Sequence, residues 1–226
     1  MPLEPGDEMT AAEFRRRNAV TSEDLRAELV EGFVYISAAV RTAHGGPHSL
    51  MIGCLEIYCG ETPGLDCLAD ATDRLDDENE PRPDVAAFIE PGYGGRCRID
   101  RQGYLTGGPQ FICEIAASTE FLDRGMKRRV YQRHGVEEYL VWRTRREFIE
   151  TYRLIDGDLV LVDADADGIY RSRIFPGLWL DLAAAVGKDR RRLHRTLREG
   201  IETDEHAAFV SRLAEAEHRH ESSDAG

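Results

Sequence analysis

An α/β (α+β) chain is predicted by three observations. Short β-rich runs, such as residues 83–89 and 111–117, are separated by turn signals. Between them, residues 47–58 and 118–134 carry apolar side chains at helical spacing. From about residue 183 the chain turns helical and heavily charged, with Leu193, Leu197, Ile201, Phe209 and Leu213 at helical intervals.

The bulk numbers bound the answer. A chain of 226 residues with 42% hydrophobic content can bury one sizeable core and carry an appendage. Neither a membrane-length apolar run nor a basic-then-apolar leader pattern occurs, so a cytoplasmic protein without membrane contact is expected. The five cysteines are an odd count with no Cys-x-x-Cys pair, which reads as reduced thiols rather than a disulfide frame or structural zinc. A net charge of -13 argues against a protein that coats nucleic acid. That charge is uneven, however: residues 70–80 are acidic, and residues 124–134 are basic.

Taken in order, Thr10 with Glu13 forms a capping box that opens a short helix. Residues 27–30 and 33–36, joined by Glu31-Gly32, read as a hairpin. Glu28 lies in its first strand, where periodicity alone makes it an outward-facing residue. Leu50, Met51, Cys54, Leu55 and Tyr58 mark an amphipathic helix with His48 in its first turn. A lone histidine there, like His44 before it, reads as exposed or as a simple hydrogen-bond partner.

A strand at 65–71 and an acidic turn at 73–80 follow, then the strand 83–89 entered through proline. The loop 91–108 is rich in glycine, with arginines and tyrosines that could meet nucleic acid. It reads more simply as a mobile connection. Strand 111–117 places Ile112, Glu114 and Ala116 on one face. Ser118-Thr119 opens a helix that ends at Gly135, with Asp123, Lys127 and Tyr131 four apart on one face. Taken alone, Asp123 and Lys127 could be an ordinary surface pair.

Strands are expected at 137–142, 148–154, 159–162 and 169–175. The run Asp163 to Gly168 imitates the start of a calcium loop but lacks the closing glutamate, so a hairpin turn is expected. Gly187-Lys188 lacks the rest of a P-loop. The segment 187–226 is read as a charged helical extension, weakly docked or self-associating, that fades into a flexible tail.

Two apolar runs each carry one carboxylate, Asp84 and Glu114, where a buried strand would ordinarily carry none. Burying a carboxylate costs several kcal/mol unless it is paired or coordinates a metal. A cation is therefore expected nearby, either a metal ion or Lys127. Two acids and a lysine at the ends of neighbouring strands are the minimum equipment for metal-assisted phosphodiester hydrolysis.

The ordered set Ala-Glu28-Leu-Val-Glu-Gly, His48, Pro-Asp84-Val, Glu114-Ile-Ala-Ala-Ser-Thr, Asp123-x-x-x-Lys127, Tyr131 and Gly-Val-Glu-Glu-Tyr139 carries a resemblance. Over roughly residues 8–186 it resembles the Uma-two family, long catalogued as a domain of unknown function within the PD-(D/E)xK restriction-endonuclease-like superfamily. The resemblance implies a central mixed β-sheet flanked by helices, with the active site at one sheet edge and the charged extension lying beyond it. It implies Asp84 and Glu114 as the motif acids and Glu28 as the family's early glutamate. The superfamily's usual lysine is missing, because Ala116 stands there; the family places it on the next helix, here Lys127.

The activity so implied is a metal-dependent endonuclease acting on DNA. Asp84, Glu114 and the Ile115 carbonyl would hold Mg²⁺ or Mn²⁺, and Glu28 would ligate a second ion or order a water. Lys127 would act electrostatically as a protonated amine. His48, Asp123 and Tyr131 are supporting candidates, and Arg124 and Arg128 are candidate nucleic-acid contacts. A homodimer is expected by fold analogy. Two other readings stay open: a non-catalytic nucleic-acid- or protein-binding module, and a hydrolase of another phosphoester.

Overall fold

The computed structural model describes residues 2–21, 25–37 and 42–224. In chain order these form α1 (Ala11–Asn18), β1 (Arg26–Val30), β2 (Phe33–Ser37), α2 (Thr42–Gly60), β3 (Leu65–Ala69), β4 (Asp73–Arg74), β5 (Val85–Ile89), β6 (Arg98–Ile99), β7 (Leu105–Thr106) and β8 (Phe111–Ala116). There follow α3 (Glu120–Leu122), a π-helical turn (Asp123–Lys127), α4 (Arg128–Arg133), β9 (Glu138–Arg143), β10 (Phe148–Ile155), β11 (Asp158–Val162), β12 (Ile169–Arg171) and β13 (Trp179–Asp181). Three helices close the chain: α5 (Leu182–Val186), α6 (Arg190–Ile201) and α7 (Asp204–Asp224).

The central sheet has six strands in the order β11-β10-β9-β8-β5-β3. Only β8 and β9 run parallel; the other neighbours are antiparallel, which makes the sheet mixed. All six residues of β8 are buried, as a strand covered on both faces requires. Phe111, Cys113 and Ile115 pack into the main core with Leu50, Met51 and Leu55 of α2. Ile112 and Ala116 face the other way, against Tyr131 of α4 and Tyr139 of β9.

Local chemistry explains several boundaries. The Thr10 hydroxyl accepts from the Glu13 amide and caps α1. Glu31 and Gly32 both take left-handed backbone, at φ 54° and 76°, as the two-residue turn between β1 and β2 demands. Gly135 at φ 71° follows the end of α4. In the calcium-loop mimic, the carboxylates of Asp165 and Asp167 are both engaged by Arg171, each at 2.7 Å, and the segment is a turn before β12.

The structure departs from the sequence reading at several points. The loop 91–108 is built around a 3₁₀ turn at Pro91–Tyr93 and two short strands that join β4 in a small sheet. The strand β12 ends at Arg171, and a second strand, β13, pairs back onto it. Asp73, placed by the sequence in an acidic turn, is fully buried. The extension packs closely: Leu193, Leu197, Phe209 and Leu213 join the main core, and helix continues to Asp224. Its arginines and glutamates dominate the composition, but the apolar stripe decides the packing. Among the described residues no helix is long and apolar enough to cross a membrane.

Candidate active site

The antiparallel register of β5 on β8 sets Ala86 opposite Ile112, so the chain just before β5 brings Asp84 level with Glu114. Both carboxylates lie on the same side of the sheet, and the Asp84 amide donates to Glu114 Oε2 at 3.4 Å. The site therefore sits at the ends of two inner strands, not along a sheet edge, because β3 outside β5 and β9 outside β8 continue the ladder.

Lys127 reaches this point from the π-helical turn that follows β8. Such a turn widens the helix locally and is a common device at functional sites. Here it turns both Asp123 and Lys127 into the protein interior, each about 2% exposed. The Lys127 ammonium lies 2.8 Å from Glu114 Oε1, 2.9 Å from Glu28 Oε2 and 3.9 Å from Asp123 Oδ1. Asp123 and Lys127 are thus not a surface pair, and Glu28 does not face outward. The Arg82 amide also donates to Glu28 Oε2, which fixes that side chain toward the lysine.

The supporting residues divide as follows. One turn beyond Lys127, the Tyr131 hydroxyl donates to Glu114 Oε1 at 2.9 Å. Asp123 accepts from the Thr119 hydroxyl, and its carbonyl accepts from the Tyr139 hydroxyl at 2.8 Å. His48 Nε2 bonds the Asp84 main-chain carbonyl at 2.7 Å, and the Ile115 amide donates to Asp84 Oδ2 at 2.6 Å. Asp84 is thus clamped from both its backbone and its side chain.

Sequence reasoning passed over His44. Its Nδ1 lies 3.0 Å from the Ile115 carbonyl, and its Nε2 lies 3.2 Å from Asp84 Oδ1 without hydrogen-bond alignment. Nothing in its spacing announces this role, since its partners are distant in sequence and meet it only through the packing of α2 on β5 and β8.

Four carboxylates, those of Glu28, Asp84, Glu114 and Asp123, line a cavity of about 640 Å³ together with Lys127 and three arginines. Burial pushes the Glu114 carboxyl well above its usual range, Lys127 opposing. Burial likewise raises Asp123 to about 7. Burial opposes the Lys127 charge too, but Glu114, Glu28 and Asp123 outweigh it and hold the ammonium well above its ordinary value. Burial also acts to raise Asp84, yet His44, Lys127 and the Ile115 amide together leave it below the usual carboxylate range. Asp84 in turn raises the His44 ring, against its burial.

Arg26, Arg82 and Arg145 line the same cavity. Arg26 is held by Asp70 at 2.7 Å and Arg82 donates to the Asp70 carbonyl, whereas Arg145 is exposed on the turn between β9 and β10. Arg124 and Arg128 do not line it. Arg124 pairs with Glu150 at 2.7 Å, and the Arg128 guanidinium lies over the Tyr152 ring. The arginines that share the cavity with the acids are thus Arg26, Arg82 and Arg145.

Among the described residues, no three acidic, histidine or cysteine side chains are gathered tightly enough to hold an ion as they stand. The donor set nonetheless fits a divalent cation. Glu28, Asp84, Glu114 and Asp123 supply hard oxygen donors around one cavity. The His44 Nε2 atom is buried, has no hydrogen-bond partner and faces Asp84 Oδ1.

The sequence profile of the family described as Uma2, putative restriction endonuclease, matches residues 11–183. The chain belongs to the Uma2 family. Among solved structures, this Uma2 chain is similar to a putative nuclease belonging to DUF820 from Anabaena variabilis, with a TM-score of 0.60 and 14% identity. The likeness covers 79% of this chain and 99% of that one, and at such identity it speaks for the fold. No curated protein matches. The Uma2 match ends before α6 and α7, although both complete the core of this chain.

Proposed function

We propose that this Uma2 protein is a metal-dependent endonuclease that hydrolyses phosphodiester bonds in DNA. One observation carries the reading: a buried ammonium, Lys127, held between Glu114 and Glu28 beside Asp84 in a cavity. Asp84, Glu114 and the Ile115 carbonyl would hold Mg²⁺ or Mn²⁺, with Glu28 at a second position or on a water. When bound, the ion supplies Lewis acidity, lowering the pKa of a water and offsetting charge on the phosphate oxygens.

The chain's own groups do the rest. Lys127, kept protonated by its acids, offers a fixed positive charge where negative charge grows in the transition state. Tyr131 and the Asp84 amide hold Glu114 in place, and the Ile115 amide and His48 hold Asp84. Arg145 at the wall is free to meet a phosphate of the incoming strand. With a net charge of -13 the molecule repels DNA at long range, so only local charge favours approach.

The test uses supercoiled plasmid and single-stranded DNA with Mg²⁺ or Mn²⁺, comparing wild type with Asp84→Asn. Wild type cleaves, and Asp84→Asn is slower by on the order of 10² to 10⁴ while its melting transition stays cooperative. Equal rates for the two proteins overturn the assignment. Cleavage of RNA but not DNA keeps the site and changes the substrate.

A further inference from the structure

We propose that His44 is a nitrogen ligand of this site and makes it take Mn²⁺ in preference to Mg²⁺. The inference rests on the metal-dependent reading above, and adds to it a residue and a metal preference that neither the family motif nor the acids supply.

The ring's hydrogen bonding fixes which nitrogen is available. A main-chain carbonyl can only accept, so the 3.0 Å contact from His44 to Ile115 places a proton on Nδ1. That leaves Nε2 aimed at Asp84 Oδ1, 3.2 Å away, in a buried position where it makes no hydrogen bond. A ring nitrogen lone pair and a carboxylate oxygen repel each other unless a positive charge stands between them. A proton does so when the ring is charged, and the contact is then an ion pair. A divalent ion would do the same in the proton's place: two donors bound at about 2.1 Å and near a right angle are themselves ~3 Å apart.

The surroundings match a ligating histidine. Metal-bound imidazoles commonly donate their other N–H to a carbonyl or carboxylate, which orients the ring and sets the tautomer. Ile115 supplies that carbonyl from the strand that carries Glu114, so an ion held by His44 would take its oxygens from Asp84 and Glu114 and not from the Ile115 carbonyl. His48, one turn further along α2, differs: its Nε2 is committed to the Asp84 main chain at 2.7 Å. One imidazole thus faces the Asp84 carboxylate while its neighbour secures the Asp84 backbone. Nitrogen donors suit manganese and later ions better than magnesium, which prefers oxygen and gives up its waters reluctantly.

The experiment pairs calorimetry with spectroscopy on the full chain. Mn²⁺ and Mg²⁺ are titrated into wild type, His44→Gln, His48→Gln and Asp84→Asn. The Mn²⁺ complexes of ¹⁵N-histidine-labelled protein are then examined by pulsed electron paramagnetic resonance. His44→Gln is expected to weaken Mn²⁺ by about tenfold or more and Mg²⁺ by less than about threefold. A ¹⁵N coupling to bound Mn²⁺ is expected in wild type and in His48→Gln, and is lost in His44→Gln. Bound Mn²⁺ without nitrogen coupling, or unchanged Mn²⁺ affinity in His44→Gln, overturns the proposal. If Asp84→Asn alone abolishes binding, the metal site stands without His44; if wild type binds neither ion, both readings fall.

Discussion

Lys127→Met is expected to lower the unfolding free energy by about 3–5 kcal/mol at pH 8, the range for removing one partner of a buried ion pair. The residue contacts three carboxylates within 3.9 Å, and its side chain is 3% exposed. Methionine fills much of the same volume, so the loss is electrostatic rather than a cavity. The sign with pH follows from the shifts. Lys127 is raised above its ordinary value, so its contribution is full below that value and persists across the neutral range. Glu114 and Asp123 are raised as well, Asp123 to about 7, so acid protonates the orphaned acids and removes part of the penalty. Urea unfolding at pH 8 and pH 5.5 checks this: the deficit should shrink at the lower pH. Adding Glu114→Gln should cost less than the sum of the two single changes, because the pair shares one interaction. A Lys127→Met protein within 1 kcal/mol of wild type at pH 8 would contradict the burial argument.

Asp73→Asn should act in the opposite direction, raising stability at pH 8 by roughly 2 kcal/mol. Asp73 is fully buried, and neither carboxylate oxygen has a hydrogen-bond partner. Burial raises its pKa to about 7 from 3.8. Between those values the folded state binds the proton and the unfolded chain does not, so stability falls as pH rises through the interval. Above about 7 the full penalty applies; below 3.8 it vanishes. A shift of that size corresponds to ~4 kcal/mol, and the unpaired amide of asparagine takes back part of the gain. Denaturant titrations from pH 4 to pH 8.5 should show the variant's advantage opening with pH and then levelling. A constant advantage, or none, would mean that Asp73 is paired in solution.

The residues that could be read from sequence were those that broke a local pattern. Glu114 interrupts an apolar strand and Asp84 stands at the entrance of another, and an acid in such a run demands a partner. Lys127 followed from helix spacing once the order of motifs was recognised, although the π-helical turn that aims it inward was not foreseen. Glu28 was ambiguous, because alternation in β1 cannot tell solvent from a second covered face. His44 and Asp73 were illegible for the same underlying reason. One lies in the glycine-rich first turn of α2, the other in an acidic run, and each acquires its environment from elements brought in by tertiary packing. The helices α6 and α7 show the converse: Leu193, Leu197, Phe209 and Leu213 were visible at helical intervals, yet charge suggested a loose appendage where the stripe closes the core.

The account stands on Asp84 and Glu114 sharing one divalent ion beside the Lys127 ammonium. Crystals of the protein grown with Mn²⁺ and measured at the manganese edge test this directly. The expected result is a single strong anomalous peak bonded to Asp84 Oδ1 and to a Glu114 oxygen, lost in crystals of Asp84→Asn. Manganese seated elsewhere, or a site in wild type that Asp84→Asn retains at full occupancy, would contradict it.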